Sequence, residues 1–147
     1  MNFNENFNFL ENDKIKLLII EKNMGDENVI PYYYYAIMLK EIDTEIGKIS
    51  IRIGHNKHSY YNGNIGFEIY EEYRGFKYSL LASKLVLQIA EFHEMNYLYL
   101  SCDESNNASS KIIENLGANF IEVVVPPIDY IFYYEGMERQ KIYKLDL

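Results

Sequence analysis

The chain has 147 residues, 24% of them charged and 48% hydrophobic, and carries a formal net charge of −8. That acidity argues against a nucleic-acid surface, which needs a basic stripe, and against docking on anionic membrane; the single cysteine, Cys102, excludes an internal disulfide. No apolar run reaches membrane-spanning length, and the Asn- and Phe-rich residues 1–12 lack the basic-then-apolar layout of a secretion signal. The expectation is one cytoplasmic domain over residues 1–147, large enough to bury a core of its own.

Residues 14–21 form a short apolar run and read as a strand, followed by a polar, Gly-containing turn at 23–28. Residues 32–41, rich in tyrosine, read as a second strand, and 46–53 alternate as its hairpin partner. A polar loop, 54–64, carries His55, His58, Tyr60 and Tyr61. The two histidines have no further ligands at metal-binding spacing, so they read as solvated loop residues and no metal is expected. Residues 65–70 form another strand.

Next come Glu71-Glu72-Tyr73-Arg74-Gly75-Phe76-Lys77-Tyr78-Ser79 and then a helix over 78–95, with Leu81, Leu85, Ile89 and Phe92 at helical spacing. A strand that turns at Arg-Gly straight into a helix leaves backbone N–H groups free at the helix start. Those donors and the helix dipole attract an anion. In so acidic a chain an anionic ligand needs a local positive spot, and Arg74, Lys77, Lys84 and Lys111 are the candidates. Residues 97–102 read as a strand, with Cys102 as a small buried residue at its end. A shorter helix at 107–116 follows, with Ser105 or Asn106 as N-cap and Gly117 as C-cap. Its Ala108, Ile112, Ile113 and Leu116 share a face. Strands at 118–125 and 139–146, separated by Pro126-Pro127, end the chain. The order describes an α+β fold with one central mixed sheet and helices on its faces, the strands at 65–70 and 97–102 running parallel across a helical crossover.

Three segments resemble the GNAT superfamily of acyl-CoA-dependent N-acetyltransferases. Ile65-Gly66-Phe67-Glu68-Ile69 with Tyr73-Arg74-Gly75 is similar to that family's fourth strand and pyrophosphate loop. Asn106-Asn107-Ala108-Ser109 is similar to its N-x-A-S step, and Ile113-Glu114-Asn115-Leu116-Gly117-Ala118 to the end of its last helix. The resemblance implies the GNAT fold and transfer of the acetyl group of acetyl-CoA to a primary amine, on a small molecule or a protein N-terminus. It implies that Phe67, Glu68 and Ile69 pair with the pantetheine through their backbone, one amide polarising the thioester carbonyl. Arg74, Gly75, Phe76, Lys77, Tyr78, Ser79 and Leu80 would hold the pyrophosphate. Asn106 would bond the pantetheine, cap its helix, or do both, and Ser109 would lie near the sulfur as a candidate catalytic residue. Glu68 is either a general base with a pKa raised by burial or a solvated strand residue.

Departures from the family pattern are specific. The loop usually reads R-x-x-G-x-G or R-x-x-G-x-A, whereas here the fourth and sixth positions are Lys77 and Ser79. Where many members carry a tyrosine as general acid, this chain has Ile113. The usual pair of helices walling the acceptor site is missing, which leaves residues 23–31 and 54–64 to supply that wall. These departures keep a second reading open, an acyl-CoA-binding sensor without turnover, and a third, an interaction module whose loop binds nothing. The acidic surface favours a cationic acceptor such as a polyamine, aminoglycoside or basic peptide. Edge strands near the C-terminus could pair in a homodimer.

Overall fold

The computed structural model describes residues 1–147. A 3-10 turn at Glu5–Asn8 leads into β1 (Phe9–Glu11), β2 (Ile15–Asn23), β3 (Tyr32–Leu39) and β4 (Thr44–Arg52). After a short helix, α1 (Lys57–Asn62), come β5 (Ile65–Ile69), a second 3-10 turn at Glu71–Tyr73 and α2 (Tyr78–Phe92). The chain closes with β6 (Tyr97–Asp103), α3 (Asn107–Asn115), β7 (Asn119–Val124) and β8 (Gln140–Asp146). This is an α+β arrangement, as the order of apolar patterns indicated.

The sheet differs from expectation in one respect. There are two antiparallel sheets, β1-β2-β3-β4-β5 and β6-β8-β7, and no parallel ladder joins β5 to β6. The hydrogen bonds that link the two sheets here come from Asn64, the residue before β5. Asn64 donates its amide to the Tyr99 carbonyl at 2.7 Å, and its Oδ1 accepts the Tyr99 amide at 2.8 Å. Its Nδ2 donates to the carbonyls of Arg52 and Gly54 at 3.0 and 2.9 Å. Asn64 is fully buried, and its one side chain satisfies three part-buried backbone groups and stitches the sheets together. Beyond that stitch β5 and β6 diverge, and the outer edge of β5 is left without a strand partner.

Alternation on the strands sends Tyr33, Tyr35, Ile37, Ile49 and Ile51 to one face, where they pack with Ala82, Val86, Ile89 and Ala90 of α2. Leu98, Leu100, Tyr143 and Leu145 of the second sheet and Ile113 of α3 join the same core. The N-terminal residues, unassigned from sequence, are anchored by tyrosines. The Tyr33 hydroxyl accepts the Asn4 amide at 3.0 Å, and the Tyr35 hydroxyl donates to the Phe7 carbonyl at 2.6 Å. Cys102 lies in the core, where burial raises its thiol pKa.

The polar stretch 54–64 holds α1 rather than an open loop. Asn56 caps it in a capping box with Ser59, whose backbone amide donates to Asn56 Oδ1 at 2.8 Å. His58 is correspondingly not solvated. It is buried, and its Nδ1 accepts the Ile131 amide at 3.1 Å, tying the C-terminal loop to α1. No helix is long and apolar enough to cross a membrane.

Candidate active site

The loop between β5 and α2 is shaped by two left-handed residues. Gly75 has φ +88° and Lys77 has φ +64°. Glycine reaches such angles without cost, whereas a residue with a Cβ does not. The structure thus gives a reason for glycine at the fourth position of the related loops: Lys77 occupies it here under strain. Lys77→Gly is expected to raise stability by about 0.5–1 kcal/mol, the relief being partly offset by the greater chain entropy of unfolded glycine. A urea midpoint that does not rise would contradict this. Arg74 donates through Nε to the Ile69 carbonyl at 2.9 Å, pinning the loop to the end of β5.

Lys77 is also the N-cap of α2, and no side chain caps that helix. The first intrahelical bond runs from the Leu81 amide to the Lys77 carbonyl at 3.1 Å. The amides of Tyr78, Ser79 and Leu80 have no partner. By contrast, α3 is capped by Asn106, whose Oδ1 accepts the Ser109 amide at 3.0 Å.

Between these two helix starts and the free edge of β5 lies a cleft of about 640 Å³. Of the residues expected to bind or react, Phe67, Glu68, Ile69, Arg74, Gly75, Lys77, Tyr78, Ser79, Asn106 and Ser109 line it. Two expected residues do not. Phe76 sits at the tip of the turn, 63% exposed, with its ring 5.8 Å from that of Tyr78. Leu80 turns its side chain to the buried face of α2. Glu68 lines the cleft and is exposed rather than buried.

Tyr73, Ala108, Lys111, Ile112 and Asn115 also line the cleft. Lys111 was expected only as a candidate cation, and the other four were not assigned to a site. The signal was helical spacing: with Ser109 placed in a cleft, the period of α3 carries Ala108, Ile112 and Asn115 along the same wall. Reading the four apolar residues of α3 as one core face concealed this, because Ala108 is exposed while Ile113 is buried at 3%. Ile113, at the position where the resemblance leads one to look for a tyrosine in many members, therefore faces the core. Of the candidate cations, Arg74, Lys77 and Lys111 meet at the cleft, whereas Lys84 is exposed elsewhere on α2.

On the far side of the stitch, α1 and the loop after β7 form a second hollow of about 340 Å³. The Tyr60 hydroxyl donates to Glu122, and Lys57 pairs with Asp129 at 2.9 Å. Asn56 Nδ2 donates to the Asn28 carbonyl at 2.7 Å, joining α1 to the segment before β3. This bond links the two segments expected to wall the acceptor site, 23–31 and 54–64.

The cleft can hold an elongated anionic ligand: main-chain donors and three cations at one end, an unpaired strand edge along its length. Residues 10–119 match the family model described as "Acetyltransferase (GNAT) domain". No curated protein sequence matches the chain. Similar solved structures include an acetyltransferase (GNAT family) from Bacillus anthracis, with TM-score 0.61 and 16% identity over 77% of this chain and 65% of that one. Another is the microcin C7 self-immunity acetyltransferase MccE in complex with acetyl-CoA and AMP, with TM-score 0.59 and 17% identity over 79% and 61%. A third is the acetyltransferase from Salmonella typhimurium that modifies the N-terminal serine of ribosomal protein L7/L12, with TM-score 0.58 and 15% identity over 79% and 64%. The chain spans just under two thirds of the length of each of these three. At such identities the likeness is one of fold, and it agrees with the family match over three quarters of the chain: this protein belongs to the GNAT acetyltransferases.

Proposed function

We propose that the protein is an acetyl-CoA-dependent N-acetyltransferase that acts on a primary amine of a small molecule or a protein N-terminus. The observation that carries this reading is the uncapped start of α2, opening into a cleft where Arg74, Lys77 and Lys111 meet in a chain of net charge −8. The residues present fit coenzyme A. The amides of Tyr78, Ser79 and Leu80 suit a diphosphate, and Ser79 is small enough to let it approach. The free edge of β5 at Phe67–Ile69 suits an extended amide-bearing arm added like a strand. Asn106 spends its Oδ1 on the helix cap, which leaves its Nδ2 to donate to that arm.

Acetyl-CoA supplies an acetyl group activated as a thioester. The chain's own residues orient it and receive the amine. Glu68 is the carboxylate in the cleft lining and is the group proposed to take the amine's proton. Ser109, half-buried at the start of α3, is proposed to stand beside the sulfur. The whole chain is proposed to act as one cytoplasmic domain. A homodimer would form along β7, an edge strand with Phe120 and Ile121 exposed, and sedimentation would detect it.

The test is release of free thiol from acetyl-CoA in the presence of a panel of primary amines. A rate above that of buffer with at least one amine is the expected result. Ile113 facing the core, with no hydroxyl in its place, favours the second reading of a non-catalytic acyl-CoA sensor. That reading predicts a raised melting temperature with acetyl-CoA and no amine-dependent rate.

A further inference from the structure

The face of the first sheet opposite the core carries Tyr32 and Tyr34 of β3, Lys48, Ser50 and Arg52 of β4, and Gly66 and Glu68 of β5, set side by side by the register. Arg52 is the unusual member. It forms none of the ion pairs in the structure. Its Nη1 donates to the carbonyls of Asn62 and Gly63 at 3.2 and 2.9 Å, which fixes the plane of the guanidinium. The Nε and Nη2 edge makes no hydrogen bond to protein, and that edge is the one that grips a carboxylate with two parallel bonds.

The strand leaves room for this group. A Cβ on Gly66 would stand 2.6 Å from Arg52 Nη2 and 3.3 Å from Ser50 Oγ, so a side chain there would push into the guanidinium. Ser50 is 8% exposed, and its hydroxyl has no hydrogen-bond partner. Burial lowers the Arg52 pKa, while the neighbouring Tyr130 and Tyr32 act to raise it. Arginine nevertheless keeps its charge inside proteins. A desolvated, oriented cation with a free hydroxyl beside it and no counter-ion is a receptor for an anion.

Position selects the kind of anion. Gly66 is the residue before Phe67, where β5 enters the cleft, and Glu68 lies two residues on, about 7 Å by strand rise, on the same face as Arg52. The face therefore carries two cations, Arg52 and Lys48, and one carboxylate, Glu68, with Lys48 directly opposite Glu68. The guanidinium beside Gly66 and the carboxylate two residues on stand at a separation that suits a small zwitterion. Resting on the transferase reading above, we propose that the acceptor is a free amino acid or close analogue, its carboxylate bound by Arg52 and Ser50 and its amine held toward Glu68. The overall acidity of the chain favours a cationic acceptor, but this local cation outweighs it, because charges in bulk water are screened beyond about 10 Å while a desolvated pair is not.

The experiment compares free amino acids with their carboxamides in the thiol-release assay: lysine against lysinamide, tyrosine against tyrosinamide, histidine against histidinamide. The amide carries the more readily deprotonated amine and so starts with the chemical advantage. The proposal expects at least one pair in which the free acid exceeds its amide in kcat/KM by about tenfold or more, the difference lying in KM. Arg52→Lys is expected to shrink that ratio toward one by removing the bidentate edge. Should that variant fail to fold, the wild-type ratio decides alone. Amides used as well as acids, or a serine-initiated peptide used faster than any free amino acid, would overturn the carboxylate site and leave the transferase intact. Absence of thiol release above buffer with every amine tried would leave binding and fold untouched but would remove both the transferase reading and this inference.

Discussion

Replacing Asn64 with leucine is expected to cost about 3–5 kcal/mol of stability, the largest loss from any single polar substitution in the chain. Leucine keeps the branch at Cγ, but its methyls make no hydrogen bonds and do not fit at the 2.8–3.0 Å separations that Asn64 makes here, so lost hydrogen bonds and overpacking add. The Tyr99 amide and the carbonyls of Arg52 and Gly54 would each be left part-buried without a partner, at about 1–3 kcal/mol apiece before relaxation. For a domain with a total stability of about 5–15 kcal/mol that is a large fraction. Asn64→Asp should also destabilise, because it keeps the acceptor for Tyr99 but turns a carboxylate toward two carbonyls. Guanidinium unfolding measures both. A loss under about 1 kcal/mol for the leucine variant would mean that the two sheets are joined by other contacts.

The second large effect concerns the cleft. Changing Lys77 and Lys111 together to glutamate is expected to weaken coenzyme A binding by at least about a hundredfold, since two charge-assisted contacts are replaced by repulsion. Both residues are exposed and neither forms an ion pair, so the fold should survive. Fluorescence or calorimetric titration reads the affinity, and a melting curve checks the fold. Unchanged affinity would show that the positive end of the cleft is not where the anion rests.

Much of this arrangement was legible in the residues. The turn at Arg74-Gly75 followed by an amphipathic run identified the start of α2, because a strand, a tight turn and a helical period each leave a local mark. That Asn106 and Ser109 of α3 stand near the same ligand was implied by the resemblance of Asn106-Asn107-Ala108-Ser109 to the family's N-x-A-S step. The boundary between the sheets was not legible. Residues 65–70 and 97–102 both read as strands, but whether they pair depends on Asn64, whose role is set by groups distant in sequence: Tyr99, Arg52 and Gly54. His58 illustrates the same limit. A histidine in a polar stretch reads as solvated until the C-terminal loop, 73 residues on, is seen to donate the Ile131 amide to it. Arg52 was likewise one charge on an alternating strand, and only the register with Gly66 gives it a special place. For Lys77 the resemblance marked an unusual residue in a loop, and the backbone supplies the reason, a left-handed angle that glycine adopts without cost.

The central claim is that main-chain donors at the start of α2 hold a diphosphate while the edge of β5 holds the arm attached to it. Titration of the intact protein with acetyl-CoA and, separately, with acetyl-pantetheine, which has the arm but no diphosphate, tests this most directly. The account predicts one molecule of acetyl-CoA bound per chain and acetyl-pantetheine weaker by at least about a hundredfold. Equal affinity for the two, or no binding of acetyl-CoA at millimolar concentration, would contradict it.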